Sequence, residues 1–294
     1  MQKIDISIIV PMYNSSKYLE RTLNNLVELV EISKQNYQIL LIDDGSTDNT
    51  LMIAEKFADR YSYIEILRQK HKGVSVARNY GLNHAIGNYI TFVDSDDVLN
   101  LQYWDKISYY FSQGYEIIIT DRNEKYECRN MKIDDQILVW KSLNERRNGE
   151  SPWSKFYRKD FIDAHNLRFT EEIIIGEDAL FIYNALYFVK SICISKFPFY
   201  VQKETHTLGK FKKEMLDSEL IFVKCLSELV NKYNGNERYK ELVYIVNRYK
   251  CKEYFRLIQD YFVPLYRNKM ISLEQAADKL RFIANKWNLT DALE

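Results

Sequence analysis

Asp94-Ser95-Asp96-Asp97 places three carboxylates in four residues, directly behind the apolar run Tyr89–Val93. Such acids repel one another unless a cation or hydrogen-bond donors offset the charge. Alternate acids on an extended segment suit a hard divalent ion whose remaining oxygens come from a diphosphate and water, the mixed shell that Mg2+ and Mn2+ favour. The same residues also read as an N-cap and solvated turn acids ahead of a helix over Leu101–Phe111. Asp43-Asp44-Gly45-Ser46-Thr47-Asp48 is a second cluster. A carboxylate there can accept from a ribose hydroxyl or a base N–H, a contact that discriminates because a buried acceptor left unpaired is costly. It equally makes an Asx turn and a helix cap. Gly73-Val74-Ser75-Val76-Ala77-Arg78-Asn79-Tyr80-Gly81 joins a flexible entry to a helix start and a fixed cation. Arg78 can pair with phosphate or with the clustered acids, or lie on an ordinary helix surface. Gly176-Glu177-Asp178 opens a helix, where acids favour the macrodipole and where an Asp near an acceptor hydroxyl can act as general base. His206 is a candidate imidazole ligand or phosphate contact, and as readily an exposed histidine with neither role.

Positioning these groups takes a regular frame. Ile4–Val10 reads as a buried strand stopped by Pro11, and Ser15 or Ser16 can cap a helix with Leu19, Leu23, Leu26, Val27 and Val30 on one face. Ile39–Ile42 is a second strand, Tyr63–Leu67 a third and Tyr89–Val93 a fourth, with helices after Asp48 and over 74–86 between them. This alternation means parallel βαβ units with helices on both faces of the sheet. Three strands then end in polar clusters, Tyr13-Asn14, Asp43-Asp44 and Asp94–Asp97. In open sheets of this kind ligands bind beyond the carboxyl ends of the strands, so the clusters are predicted to converge on one crevice. Glu116–Thr120, Ile192–Ile194 and Phe199–Val201 are further strand candidates, a helix begins near Glu177, and residues 123–150 show no clear period. Beyond Phe211 the period is helical to the end, with breaks near Asn234-Gly235 and Pro264.

Composition narrows the function. The 294 residues balance 41 Lys+Arg against 41 Asp+Glu, which argues against a dedicated nucleic-acid binder. A hydrophobic content of 46% with 28% charge is that of a globular chain. No apolar run approaches the length of a membrane span, and the N-terminus has no signal-peptide layout. Cys128, Cys193, Cys225 and Cys251 are far apart, without metal-ligand spacing or a disulfide framework, so reduced cysteines are the expectation.

Taken together, Pro11-Met12-Tyr13-Asn14, Asp43–Asp48, Gly73…Ala77-Arg78-Asn79, Asp94–Asp97, Trp153-Ser154-Lys155 and Glu177-Asp178 occur in one order. Over about residues 4–205 that order closely resembles family 2 glycosyltransferases of the GT-A fold, of the type that builds bacterial surface glycans. The resemblance implies an α/β chain with a Rossmann-like, mostly parallel central sheet and a C-terminal helical region. Residues 1–205 would bind the nucleotide sugar and carry catalysis; residues 206–294 would serve the acceptor side, an oligomer interface or a membrane contact. It implies an inverting, metal-assisted transfer of a hexose or N-acetylhexosamine from a UDP-sugar to a glycan, lipid-linked or protein-linked saccharide. Tyr13 matches the position that stacks on uracil, Asp44 the carboxylate that meets the base N–H, and Asp43 its support. Pro11, Asn14 and Ser95 complete the donor side. Asp94 would reach the ribose and Asp96 the Mn2+ or Mg2+, with Arg78 as a cation beside the nucleotide. Asp178 matches the catalytic base, while Asp97, Trp153, Lys155 and Glu177 border the acceptor. Many relatives carry an Arg/Gly/Ser-type segment where this chain reads Tyr200–Thr207; some use a histidine there as a metal ligand, which makes His206 a candidate.

The predicted helix over about 237–262 is rich in aromatic and basic residues, including Tyr239, Arg248, Tyr249, Lys252, Phe255 and Arg256. A helical cap on the catalytic domain, a subunit interface and a basic membrane-surface helix are all consistent with it. The expected location is cytoplasmic, or peripheral on the inner face of the cell membrane. Two competing functions differ in what they require. An inactive nucleotide-sugar-binding partner subunit would not need the intact Asp96 and Asp178. A sugar nucleotidyltransferase would need a Gly-rich basic loop after the first strand, which Pro11–Lys17 does not supply.

Overall fold

The structure is a computed structural model that describes residues 3–120, 129–130, 133–144, 149–203 and 213–289. The first strand, β1 (Ile6–Met12), is buried along its whole length, and α1 (Leu19–Ile32) packs Leu19, Leu23, Leu26 and Val27 inward. There follow β2 (Tyr37–Asp43), α2 (Thr50–Arg60), β3 (Ile64–Arg68), α3 (Val74–His84) and β4 (Tyr89–Phe92). These are the expected βαβ units, and β1 to β4 pair in parallel in the order β3-β2-β1-β4.

One boundary differs. β1 does not stop at Pro11 but runs through it, because its β2 side stays bonded: Asp44 N–H donates to the Met12 carbonyl at 3.0 Å. On the β4 side the Val93 N–H donates to the Ile9 carbonyl. Pro11 has no N–H with which to extend that ladder. The chain therefore leaves β1 at Asp94.

The second half of the sheet is mixed. The short β5 (Val98–Leu99), a 3-10 turn over Leu101–Tyr103 and α4 (Trp104–Phe111) lead to β6 (Ile117–Thr120). The unassigned stretch holds β7 (Arg129–Asn130) and a helix, α5 (Ile133–Asn144), which buries Ile137, Val139 and Trp140. β8 (Lys155–Arg158), which no sequence period revealed, is inserted antiparallel between β4 and β6. After α6 (Lys159–Ala164) and α7 (Glu177–Phe188), β9 (Ser191–Ser195) pairs in parallel with β6, and β10 (Tyr200–Val201) pairs with β5 in a small second sheet. Cys193 is disulfide-bonded, against the expectation of a fully reduced chain; Cys225 and Cys251 are free.

The two faces of the sheet carry different partners, as the period of two requires. Ile8, Val10, Ile39, Leu41 and Ile118 pack with α1, α2 and α4. Ile9, Leu40, Ile42, Ile90, Phe92 and Ile119 pack with α3, α5, α6 and α7. The second cluster continues into α8 (Lys213–Asn231), α9 (Tyr239–Leu257) and α11 (Leu273–Lys286), reaching Trp287 and Leu289. The predicted break at Asn234-Gly235 separates α8 from α9, with Gly235 at φ 96°. Pro264 does not break the chain: it lies in the first turn of α10 (Val263–Arg267), directly after a π-helical turn over Ile258–Phe262. A proline is tolerated in a first turn because the N–H it lacks needs no intrahelical partner there.

Candidate functional site

The loops after β1 and β2 bind each other before any ligand is considered. Asn14, at φ 49°, accepts the Thr47 N–H on its side-chain oxygen at 2.8 Å, and its own N–H donates to Ser46 Oγ at 3.1 Å. Ser15 N–H donates to Thr50 Oγ1 at 2.7 Å. Asp43 is buried and accepts the Ser46 N–H at 3.2 Å. Asp44 is 3% exposed. Its Oδ1 accepts from Gln69 Nε2 (2.7 Å) and Lys72 N–H (2.8 Å), and its Oδ2 from Gly73 N–H (2.9 Å). His71 Nδ1 lies 2.8 Å from the same Oδ2. A carboxylate offers about four lone-pair directions, so Asp44 clamps the loop 69–73 with all of them. Gly45 makes the close approach of that loop possible: at φ +78°, a Cβ there would meet the His71 nitrogen at 2.9 Å. Tyr13, half exposed beside it, stacks on His71 with ring centroids 4.1 Å apart.

The turn after β4 is fixed from α1. Thr22 Oγ1 donates to the carbonyls of Ser95 (3.1 Å) and Asp97 (2.8 Å), Arg21 donates to the Asp96 carbonyl, and the Ser95 and Ser15 hydroxyls meet at 2.7 Å. Pro11, Tyr13, Asn14, Arg78, Asp94, Ser95 and Asp96, all singled out from sequence, line one cavity of about 340 Å3 at these strand ends. Ser15, Tyr18 and Val74 line it as well and were not among the candidate site residues, although Val74 lies within the Gly73–Gly81 motif and Ser15 directly follows Asn14. Larger cavities of about 770 and 790 Å3 lie elsewhere, one by Gly87 and Arg158, the other between α5 and α9, and neither contains the clustered acids.

Arg78 joins the two ends of the cleft. Its side chain, 5% exposed, reaches Asp178 Oδ1 at 2.6 Å, Asp94 Oδ1 at 3.3 Å and Glu177 Oε1 at 3.6 Å, and its guanidinium lies 5.2 Å from the Phe169 ring. Arg78 thus pairs with the clustered acids and does not lie on an exposed helix surface. Burial opposes the charge on Arg78, but the three carboxylates outweigh it and raise its pKa further. Burial pushes Asp94 up to about 6, with Arg78 pulling it down and Asp178, Asp97 and Asp96 pushing it up. Burial and the neighbouring Asp178 take Glu177 to about 8. Three acids around one guanidinium leave a site with excess negative charge, able to hold protons or to accept a cation.

The turn that presents Glu177 and Asp178 is shaped by α8. Ser218 Oγ accepts the N–H groups of Ile174 (2.7 Å) and Ile175 (3.3 Å). Gly176, at φ +90°, packs so closely on Phe222 that a Cβ would come within 2.8 Å of its ring. Sequence reasoning missed Ser218 and Phe222, since nothing in a helical period reveals which face meets a distant turn.

The residues expected to border the acceptor separate into three places. Asp97 is buried and accepts from the Tyr200 hydroxyl at 2.7 Å and the Lys203 N–H at 2.7 Å, tying β10 to the acidic turn. Trp153 lies flat on Tyr200, with ring centroids 4.3 Å apart. Lys155 is 3% exposed, and its Nζ donates to the Ser151 carbonyl at 2.6 Å, so its ammonium points into the protein. Glu177 joins the Arg78 cluster. His206 lies outside the described residues. On α9, Tyr244, Arg248, Lys252 and Phe255 are exposed, while Tyr249 and Arg256 turn inward to Glu219.

Residues 7–179 match the profile described as Glycosyl transferase family 2. Over 255 residues the chain is 25% identical to the putative glycosyltransferase EpsH of Bacillus subtilis, covering 82% of this chain and 73% of that one. It is 28% identical over 179 residues to the poly(ribitol-phosphate) beta-N-acetylglucosaminyltransferase TarS of Staphylococcus aureus, covering 60% of this chain but 31% of that one. Among the curated relatives, coverage of the relative's own length is often between 20% and 54%. In three dimensions the chain resembles S. aureus TarS 1–349 in complex with UDP, with a TM-score of 0.64 and 22% identity over 92% of this chain and 77% of that one. It resembles the UDP-GlcNAc complex with a TM-score of 0.66 and 19% identity, over 99% and 82%. At these identities the likeness is one of fold, a GT-A sheet followed by helices.

Proposed function

This chain belongs to glycosyl transferase family 2 and is a glycosyltransferase, and from that premise we propose that it moves a hexose or N-acetylhexosamine from a UDP-sugar to a saccharide hydroxyl with inversion at the anomeric carbon. The observation that carries this reading is the gathering of Tyr13, Asp94, Asp96 and Arg78 around one cavity, with Asp178 on the far side of Arg78. In this reading Tyr13 and Asp44 take the base, and the turn Asp94–Asp96 faces ribose and diphosphate. Asp178 removes the proton of the attacking hydroxyl, a contribution of about 10²–10⁴ in rate for a well-placed base. Beside it, burial and the Asp178 charge raise the pKa of Glu177 to about 8. Attack from the side opposite the leaving nucleotide gives inversion without a covalent intermediate.

The donor set suits a hard cation. Asp96 lines the cavity, Asp94 lies two residues away with one oxygen on Arg78, and both offer carboxylate oxygen. Among the described residues no three acids, histidines or cysteines group as a ready-made metal site, so Asp96 would hold a Mg2+ or Mn2+ together with diphosphate oxygens. Such an ion, when bound, would offset charge on the departing diphosphate. The nearby UDP and UDP-GlcNAc complexes of TarS, and relatives named for teichoic acid and poly(ribitol-phosphate) chemistry, favour UDP-linked donors and a surface-polymer acceptor. Among the described residues no helix is long and apolar enough to cross a membrane.

UDP release from a panel of UDP-hexoses and UDP-N-acetylhexosamines, with and without Mn2+, tests the reading. Turnover of at least one donor, with Asp96→Ala weakening metal-dependent UDP binding in calorimetry, is the expected result. A chain that binds no UDP under any of these conditions would refute it.

A further inference from the structure

His71 is 56% exposed, yet it is held on two sides. Its ring lies on Tyr13 with centroids 4.1 Å apart and planes 20° apart. Its Nδ1 is 2.8 Å from Asp44 Oδ2 and 3.2 Å from the Asp44 carbonyl oxygen. Both neighbours of Nδ1 are acceptors, so Nδ1 carries the proton and donates. A flat heterocycle is thus laid on a tyrosine while its ring N–H meets a buried carboxylate. Those are the two contacts through which an imide-bearing pyrimidine is recognised: a π-face and one N–H donor.

We propose that the His71 imidazole occupies the place of the nucleotide base on the Tyr13–Asp44 shelf and swings out when UDP binds, which makes it a residue that sets donor affinity. The inference rests on the reading of that shelf as the base site. Of the two side chains donating to Asp44, His71 is the more exposed. Lys72 and Gly73 donate from the backbone at the start of α3, and the closeness of Gly45 to the His71 backbone nitrogen pins the loop. Gln69 donates from a half-buried side chain whose backbone N–H is bonded to the Asp43 carbonyl. The imidazole is the exposed, single-ended member, and its departure loosens only its own contacts.

The exchange is balanced at Asp44. A buried acceptor left without a donor is costly, and here one ring N–H replaces another, so Oδ2 is satisfied before and after. A base whose matching ring nitrogen is an acceptor, as in cytosine, would displace the imidazole and leave Oδ2 one donor short, with the Gly73 N–H alone. Every base must compete with His71, however, so removing the ring should raise all affinities alike, as expected when a competing arrangement of the site is deleted.

Calorimetric titration of UDP and CDP into the wild-type chain and His71→Ala tests this. Losing one exposed stack and one hydrogen bond from the competitor should tighten UDP binding by about three- to tenfold, with the UDP-to-CDP ratio unchanged. His71→Phe keeps the stack without the N–H and should fall between the two. Tyr13→Ala should weaken UDP in the presence or absence of His71. In NMR, the His71 ring protons should lose the ring-current shift from Tyr13 as UDP saturates the protein. UDP binding that is unchanged or weaker in His71→Ala, while still dependent on Tyr13, would overturn the proposal and leave the shelf reading standing. Binding indifferent to both Tyr13 and Asp44, or absent from the wild-type chain, would refute the shelf reading and the proposal with it.

Discussion

At the end of the cleft beside Tyr13 and Asp44, the side chains are held by one another. Asn14 bonds Ser46 and Thr47, Asp43 bonds Ser46, Asp44 bonds the loop 69–73, and Ser95 meets Ser15. All of these lie within the first hundred residues, on loops that leave neighbouring parallel strands. At the other end, Asp178 is placed by groups from far along the chain: Arg78 on α3, and Ser218 and Phe222 on α8. The first arrangement is a consequence of the sheet. The second requires the C-terminal helices to dock, and the hydrophobic cluster that runs from Ile9 to Leu289 is what docks them. An end that assembles from its own loops and an end assembled from three distant elements should respond differently to perturbation.

Asp178→Asn separates them most sharply. Transfer should fall by about 10²–10⁴ through loss of the base, while UDP affinity measured by calorimetry stays near its starting value. Near-normal turnover would remove Asp178 from its role. Ser218→Ala comes next. It leaves two N–H groups of the turn before Asp178 without their acceptor, a loss of about 1–3 kcal/mol if they stay buried. Turnover should fall about tenfold on the scale of such a loss with UDP binding unchanged, and Ser218→Thr should restore it. If UDP affinity fell in step with turnover, the two ends would not be separable.

Protons give a gentler test. Asp94, pushed up to about 6, and Glu177, up to about 8, both hold protons in the folded chain that the unfolded chain has already lost. The folded state binds more protons across that window, so stability falls as pH rises from about 4 towards 8. Urea unfolding at pH 5 and pH 8 should show the decline. Asp94→Asn should flatten its lower part, below about pH 6, and Glu177→Gln its upper part. A stability profile that rises across this range would contradict the cluster's electrostatics.

The smallest effect is expected in the helical region, where Glu219 is fully buried, accepts from the Tyr249 hydroxyl and is raised by burial to about 7. Glu219→Gln keeps the hydrogen bond and removes the buried charge. It should add about 1 kcal/mol at pH 8, a fraction of what the shift implies, and nothing near pH 5. Catalysis at the opposite end should not change.

From the sequence alone came the four parallel strands, the helices between them and the polar clusters at their ends, because those signals are local: a period of two, a period of 3.6, and turn residues at the boundaries. The ordered motifs also sufficed to name the family. What the tertiary structure decided was partnership. Asp97 looks like Asp96 in sequence but is buried against Tyr200, and Lys155 looks like a free cation but is turned in on Ser151. Arg78 chooses Asp178, a hundred positions away, and His71 lies on Tyr13. β8 and α5 escaped notice for the same reason, their burial being set by strands on either side and not by their own pattern. A side chain's type and its neighbours along the chain determine what it can bond; only the folded distances determine which of those bonds it makes.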